Sequence, residues 1–272
     1  MRIYLMTDME GSAGIINFAD WVEKDGKYYE KGKELVTEEV NACIRGFFDA
    51  CEEKGIEIEE LLVADGHGAG GLNHLLLDER AKYVRGWSVP AYPLHLDRGY
   101  DVAAVVGQHA MAGSEYAHLA HTQSFDYKCA KFNGIECGEY GNMVLTAGEL
   151  GTPVIYASGD RAFTKEAAKL TPWTVTTEVK YGVIPGKGDE CGPDAYGRRN
   201  LGAVHLSPER AREVIYEDAK KAMTMYIENK GSFKAYKLDP PIVNERWFRT
   251  DDGKDIYVKK ESNISVADVL NK

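Results

Sequence analysis

The sequence lacks the features that mark membrane-spanning and disulfide-stabilised proteins. No stretch approaches the roughly 18 consecutive apolar residues that a transmembrane helix needs. The apolar run that ends at Asp8 is too short for a signal peptide, and acidic residues follow it at once. The five cysteines are widely spread and contain no C-x-x-C pair, so we expect reduced thiols and a cytoplasmic protein. They are Cys43, Cys51, Cys129, Cys137 and Cys191.

The sequence also lacks a compact stripe of basic residues. Its formal net charge is −10, so it would repel a phosphate backbone, and we expect no nucleic-acid partner. Hydrophobic residues make up 44% and charged residues 28% of the 272 positions, as in ordinary globular proteins. There are no internal repeats and no low-complexity segments. The length suits one large domain or two small ones.

Apolar strand-like runs alternate with helical patterns through about residue 180. Residues 2–7, 60–65 and 101–106 are predicted strands, and the last of them is continuous in apolar character, which is typical of a sheet buried on both faces. The pattern predicts an α/β fold with a mostly parallel sheet and helices on both faces. We predict a main α/β domain over 1–230 and a smaller, β-containing C-terminal extension over 231–272 that packs on it.

Metal-ligand residue types follow three of these predicted strands. Asp8, His67 and His109 each lie where a strand ends. In an open α/β sheet the carboxyl ends of the strands line one crevice, and ligands bind there. Glu10 and Glu139 can join the group, and two histidines with three carboxylates can hold two divalent metals. The sequence therefore predicts a metal-dependent hydrolase.

Local sequence around the carboxylates and His67 agrees with this prediction. Residues two apart in an extended segment face the same side, so Asp8 and Glu10 can both reach one metal. Alternatively, Asp8 can bridge two metals while Glu10 holds one. Glycines on both sides of His67 let the backbone turn sharply. Glu139 opens a predicted helix, where the helix dipole alone would also explain a carboxylate.

Three histidines fall within the 13 residues from His109 to His121. His109 is best placed as a ligand because it follows a strand directly. His121 is a candidate catalytic residue, acting as a base or as a nucleophile. The base role is preferred from the chemistry, because a metal-activated water already supplies a nucleophile. We expect His118 to be a bystander.

Two other functions fit parts of the pattern. Gly66, Gly68 and Gly71 match the G-x-G-x-x-G fingerprint of nucleotide-binding proteins. However, no acidic residue lies about 20 positions beyond Gly71, where ribose recognition would want one. A metal-dependent amidase or phosphoesterase could use the same ligand set, but no cluster of arginine or lysine lies near the motifs to hold a phosphate.

The motifs taken together resemble a known family. Their order and spacing are similar to those of the D-aminopeptidase family of dinuclear zinc peptidases, of the DppA type, over roughly residues 1–230. The matching segments are Asp8-Met9-Glu10-Gly11, Asp65-Gly66-His67, Gly107-Gln108-His109-Ala110, Ala120-His121-Thr122, Asn133-Gly134, Gly138-Glu139 and Gly159-Asp160-Arg161.

The resemblance implies a function, a cofactor and an assembly. It implies an aminopeptidase that removes N-terminal residues, with D-amino acids as candidate substrates, from short peptides or aminoacyl amides. It implies His121 as the catalytic residue beside a water activated by two Zn²⁺, with Asp8 bridging them, although this donor set would also accept Mn²⁺ or Co²⁺. It implies a homo-oligomeric ring whose active sites face an inner cavity. The implied zinc ligands are Asp8, Glu10, His67, His109 and Glu139.

Overall fold

A computed structural model describes residues 1–272 as two sheets and six α-helices. The strands are β1 (Arg2–Thr7), β2 (Glu60–Asp65), β3 (Lys82–Val84), β4 (Val102–Gln108), β5 (Tyr127–Phe132), β6 (Ile135–Glu136), β7 (Val154–Asp160), β8 (Val175–Gly182), β9 (Ala203–His205), β10 (Ile242–Phe248) and β11 (Ile256–Ser262). The helices are α1 (Tyr29–Glu53), α2 (Glu139–Glu149), α3 (Arg161–Leu170), α4 (Pro193–Gly197), α5 (Pro208–Glu228) and α6 (Val266–Asn271).

The main sheet has seven strands in the order β3-β2-β1-β4-β7-β8-β9. All neighbouring strands pair in parallel except β8 and β9, which are antiparallel. This confirms the predicted α/β fold with a mostly parallel sheet. The chain leaves β1 toward β2 and β3 and then returns to place β4 on the other side of β1. The strand order therefore reverses between β1 and β4, which is where open α/β sheets bind ligands.

Both faces of the sheet are covered, as predicted. Successive side chains of β1 point to opposite faces. Ile3 and Leu5 belong to a buried cluster with residues of α1 and α5. Tyr4 and Met6 belong to a second cluster with residues of α2 and α3. Because β1 is apolar on both faces, it has to lie inside the sheet with helices on either side.

A smaller antiparallel sheet has the order β11-β10-β5-β6. Asn133 and Gly134 join β5 to β6, and both have a positive φ, as the tight turn of a hairpin requires. Phe132, Ile242 and Val266 pack beneath this sheet. The segment after residue 230 thus supplies two strands to a sheet whose other two strands precede it. The boundary at residue 230 stays a prediction.

None of the helices combines the length and the apolar character that crossing a bilayer would require.

Candidate metal centre

The reversal point between β1 and β4 brings the chain segment after β1 into direct contact with the end of β4. The amide of Asp8 donates to the carbonyl of Val106 (2.9 Å), and the amide of Gly11 donates to the carbonyl of Gly107 (2.8 Å). A Cβ at Gly11 would lie 2.0 Å from the Gln108 carbonyl oxygen, and one at Gly107 would lie 2.2 Å from the Asp8 carbonyl oxygen. Only glycine permits this approach, and Gly107 also has a φ of +79°.

The five predicted ligands come together at this point. Asp8 Oδ1 lies 3.5 Å from His67 Nδ1, and Asp8 Oδ2 lies 3.3 Å from His109 Nε2. Glu10 Oε2 lies 3.2 Å from the same His67 nitrogen. Glu139 Oε1 lies 3.6 Å from His109 Nε2. The two oxygens of Asp8 therefore face different imidazoles, so Asp8 is the residue placed between the two halves of the group.

Backbone carbonyls orient the imidazoles of His67, His109 and the neighbouring His121. His67 Nε2 donates to Val22 (3.4 Å), His109 Nδ1 to Ala110 (2.9 Å) and His121 Nδ1 to Leu119 (3.0 Å). A carbonyl oxygen can only accept, so each of these nitrogens carries a proton. The opposite nitrogen of each ring then faces the carboxylates, where it can hold a proton or, once that proton leaves, bind a metal. Metal-ligating histidines are oriented by this kind of hydrogen bond.

The arrangement fits a cation better than it fits hydrogen bonding. Glu10 Oε2 and His109 Nε2 are buried and lie close to other members of the group, but neither makes a hydrogen bond of normal geometry. Buried polar atoms in proteins nearly always have a partner, and a metal ion is one partner that can satisfy them. The donor atoms of Asp8, Glu10 and His109 lie within 4.8 Å of one another, and so do those of His109, His121 and Glu139. The residues present therefore fit divalent metal ions.

The charges of the centre shift its pKa values strongly. Burial raises the pKa of Asp8 to about 7, and the charge of Glu10 adds to this effect. Burial opposes charge on His67, but the carboxylates of Glu10 and Asp8 outweigh it and raise the pKa of His67 to about 12. In the same way, burial lowers the pKa of His109 but Glu139 and Asp8 raise it to about 9. These buried acids require positive charge, which protons or metal ions can supply.

His121 lies beside the predicted ligands. Its ring stacks on that of His109 with centroids 4.0 Å apart, and its Nε2 lies 3.9 Å from Glu139 Oε1. Burial lowers the pKa of His121, and the neighbouring charge of His109 lowers it further. A neutral imidazole with a free Nε2 can accept a proton. The geometry allows either a catalytic role or ligation.

His118 points away from the centre. Its Nε2 donates to the carbonyl of Ile16 (3.0 Å), and its backbone amide donates to Asp160 Oδ2 (3.0 Å). Burial lowers the pKa of His118 to about 2, so the ring is neutral. His118 therefore holds two loops together, as expected of a residue outside the chemistry.

Three residues that the sequence did not single out support the centre. Gln108 Nε2 donates to Asp8 Oδ2 (2.9 Å), and the amide of Gln123 donates to Glu139 Oε1 (2.6 Å). The fully buried Nζ of Lys180 donates to the carbonyl of Glu10. Gln108 lies next to His109 in the chain, which was a usable signal. The sequence around Lys180 gives no such signal, because Lys180 reaches the centre from β8, far along the chain.

The glycine-rich loop after β2 does not have the form of a nucleotide site. It leads into a single 3-10 turn, His74–Leu76, and not into a helix whose N-terminus could hold a pyrophosphate. His67 turns from this loop toward Asp8 and Glu10, where phosphate would meet carboxylates. The geometry therefore favours the metal centre over the nucleotide-binding alternative.

A pocket of about 650 Å³ opens onto the centre. Asp8, Glu10, His67, His121 and Glu139 line its polar part. No lysine or arginine is among its lining residues, so a phosphate ester would meet no cationic side chain there. This geometry disfavours the phosphoesterase alternative.

A parallel sheet whose carboxyl edge carries clustered carboxylates and imidazoles is typical of metal-dependent hydrolases. The chain belongs to the D-aminopeptidase family, Peptidase M55, whose family model matches residues 1–255. The match confirms the family predicted from the sequence motifs and the prediction of an aminopeptidase.

Two individual comparisons agree with this assignment. The chain is 30% identical over 245 residues to a D-aminopeptidase of Bacillus subtilis (strain 168), covering 89% of this chain and 78% of that protein. Its fold is similar to the solved structure described as the Zn-dependent D-aminopeptidase DppA from Bacillus subtilis, a self-compartmentalizing protease, with a TM-score of 0.78 at 22% identity. That likeness covers 99% of this chain and 95% of the other.

Proposed function

We propose that this aminopeptidase removes N-terminal residues, D-amino acids among them, from short peptides or aminoacyl amides with the help of two zinc ions. The proposed ligands are Asp8, Glu10, His67, His109 and Glu139, and His121 is the proposed catalytic residue. The observation that carries the proposal is the pair of buried atoms Glu10 Oε2 and His109 Nε2, which face other proposed ligands but make no hydrogen bond of normal geometry.

Two cations suit this donor set better than one. Asp8 directs one oxygen toward His67 and the other toward His109, so it can serve two ions as a bridge. Glu10 then completes the His67 side, and Glu139 completes the His109 side. Carboxylates and imidazoles suit Zn²⁺, Mn²⁺ and Co²⁺ alike. The solved Bacillus subtilis relative is described as zinc-dependent, which favours zinc here.

The protein's own side chains would handle orientation and protons. Bound cations would polarise the scissile carbonyl and bring the pKa of water toward about 7. His121 can accept a proton at Nε2 and pass it to the leaving amine, because its Nδ1 proton is fixed on the Leu119 carbonyl. Gln108 holds Asp8 in place, and Phe18 and Phe125 pack around His121 and limit water there.

We also propose that copies of the chain assemble into a ring. Exposed apolar side chains gather at the antiparallel edge of the main sheet, where residue 183 pairs with 202 and residue 116 pairs with 184. Contiguous exposed apolar patches commonly mark protein interfaces. The Bacillus subtilis structure is described as self-compartmentalizing. The exposed apolar residues at this edge of the main sheet are called the edge patch: Tyr116, Val183, Leu201, Val204 and Leu206.

A cytoplasmic location is part of the proposal. All five cysteines are free thiols, and Cys43, Cys51 and Cys137 are buried. Free thiols persist in a reducing compartment.

A substrate panel tests the proposed activity. The zinc-loaded protein would be assayed against D- and L-alanine p-nitroanilide and against p-nitrophenyl phosphate, with the metal-free protein as a control. We expect hydrolysis of at least one anilide enantiomer, loss of activity on chelation and no hydrolysis of the phosphate ester. Activity on the phosphate ester alone would overturn the proposal, and so would unchanged peptidase activity in the chelated protein.

A further inference from the structure

The pocket above the metal centre is larger and more apolar than a small N-terminal residue such as alanine needs. Its volume of about 650 Å³ falls within the roughly 300–1,000 Å³ range of pockets that enclose small organic ligands. Beyond the proposed ligands and His121, most of its large lining side chains are apolar or aromatic. The pocket therefore has room for a bulky side chain beside the reacting bond.

One side of the pocket is an aromatic pair in contact with His121. The rings of Phe18 and Phe125 meet edge to face with centroids 4.7 Å apart. Each also packs on the His121 ring, at 5.5 Å and 5.6 Å respectively. Phe18 opens a short helical turn that ends at Val22, whose carbonyl accepts from His67. The apolar surface is thus built into the same segment that orients a proposed ligand.

The other side of the pocket is formed by the segment before β4 and by α2. Trp87, Tyr92 and Leu94 come from that segment, and Met143 comes from the second turn of α2, one turn after Glu139. Trp87 and Tyr92 are only partly buried, so their rings keep surface that a ligand can cover. Together with Phe18 and Phe125, these four residues are called the apolar walls.

The charged groups that line the pocket also favour an apolar substrate side chain. Its only charged lining groups are the proposed ligands at the base. An acidic substrate side chain that lies against the apolar walls would lose its hydration without gaining a lysine or arginine partner, which is costly. A large apolar side chain would instead cover exposed aromatic surface, and the removal of this apolar area from water favours binding.

We infer that the enzyme prefers substrates whose N-terminal residue, next to the scissile bond, is large and apolar, and aromatic residues above all. The reason is that the apolar walls adjoin His121 and the proposed metal ligands. This inference rests on the proposed aminopeptidase function. The apolar walls, not the metal ligands, would set the preference.

Steady-state kinetics on the zinc-loaded enzyme test the inference. The probes are the p-nitroanilides of alanine, leucine, phenylalanine and aspartate in both enantiomers. We expect kcat/KM for phenylalanine and leucine to exceed that for alanine by at least about tenfold, since one methylene in an apolar pocket is worth about 10- to 200-fold. The aspartate compound should be the poorest substrate.

Variants of the apolar walls assign the preference to them. Trp87→Ala and Phe125→Leu should each lower the phenylalanine-to-alanine ratio of kcat/KM by at least about fivefold, mainly through KM. Tyr257→Ala, at an exposed position on β11, is the control and should leave the ratio unchanged. Zinc content confirms that the centre is intact in each variant.

The outcomes separate the inference from the proposed function. Hydrolysis of alanine anilide as fast as, or faster than, phenylalanine anilide overturns the inference and leaves the proposed function standing. An unchanged ratio in both wall variants also overturns it. Failure to hydrolyse any of the anilides overturns the proposed function itself.

Discussion

Asp8 is the single residue on which the proposed centre depends most. It ends β1, its two oxygens face His67 and His109, and Gln108 donates a hydrogen bond to one of them. Removing it would leave two imidazoles with no shared partner. His121 differs, because it contacts the group only through Glu139 and the stacked ring of His109.

Because of this difference, we expect alanine variants of Asp8 and His121 to differ in whether they keep bound zinc. Asp8→Ala should lose both bound zinc and activity. His121→Ala should keep its zinc and lose activity by about a hundredfold to ten-thousandfold, the usual contribution of a general acid–base residue. Elemental analysis and anilide kinetics on both proteins measure this. The exposed His74 gives the control variant His74→Ala. Loss of zinc from His121→Ala would instead make His121 a ligand.

The raised pKa of His67 predicts proton release on metal binding. Its pKa of about 12 lies above the ordinary 6.5, so the metal-free protein keeps this proton at neutral pH. A metal needs the same Nδ1 lone pair, and the proton must leave. Apparent zinc affinity should therefore rise with pH, by about tenfold per unit for each proton released.

Isothermal titration calorimetry in two buffers of different ionisation enthalpy measures this release directly. At least one proton should leave per chain between pH 6 and pH 8. A binding enthalpy that does not depend on the buffer would contradict the assigned charge state of the centre.

Residue types at strand ends pointed from the sequence to three of the five proposed ligands. Asp8, His67 and His109 follow strands whose apolar runs are easy to recognise. The apolar walls were not predictable, because Phe18 lies in a single short helical turn and Trp87 in a loop, and neither segment shows a periodic pattern. Their positions depend on contacts with segments far along the chain.

Among the elements, the contact between the segment after β1 and the end of β4 decides whether the proposed ligands can meet. Gly11 and Gly107 let these segments touch backbone to backbone. The strands themselves were well predicted, because a strand buried on both faces is a continuous apolar run. The path from His109 to His121 was not, since carbonyl contacts such as that of Leu119 with His121 fix it.

Gly11→Ala should disrupt the backbone contact between the segment after β1 and the end of β4. The added Cβ would lie 2.0 Å from the Gln108 carbonyl oxygen, and backbone cannot move aside as a flexible side chain can. We expect a loss of about 3 kcal/mol in the free energy of unfolding, at the upper end of overpacking costs, together with weaker zinc binding. Urea denaturation of the metal-free proteins measures the first effect.

A glycine without such contacts provides the control for that measurement. Gly231 is exposed, and its added Cβ would come no closer than 3.6 Å to any atom. Gly231→Ala should therefore change stability by less than about 0.5 kcal/mol. Equal losses of stability in the two variants would refute the idea that Gly11 allows an unusually close approach to β4.

At the scale of the whole molecule, the proposed assembly depends on the edge patch. The edge patch lies along the antiparallel edge of the main sheet, and Tyr116 and Val204 in it are 53% and 46% exposed. Charged residues there would have to be desolvated in an interface. Val204→Glu should therefore reduce the mass of the particle in solution.

Light scattering coupled to size exclusion measures that mass. Ile264→Glu is the control, because Ile264 is 78% exposed and lies near the other, smaller sheet. We expect a large assembly for the wild type and for Ile264→Glu, and a smaller one for Val204→Glu. An assembly that Val204→Glu leaves intact would place the interface elsewhere.

The central claim is that five side chains from distant parts of the chain hold two metal ions between them. Anomalous X-ray diffraction from crystals of the zinc-loaded protein, collected on both sides of the zinc absorption edge, tests it most directly. We expect two peaks, one bounded by His67 and Glu10 and the other by His109 and Glu139, with Asp8 between them. Peaks at other residues, or no peak within this group, would contradict the account.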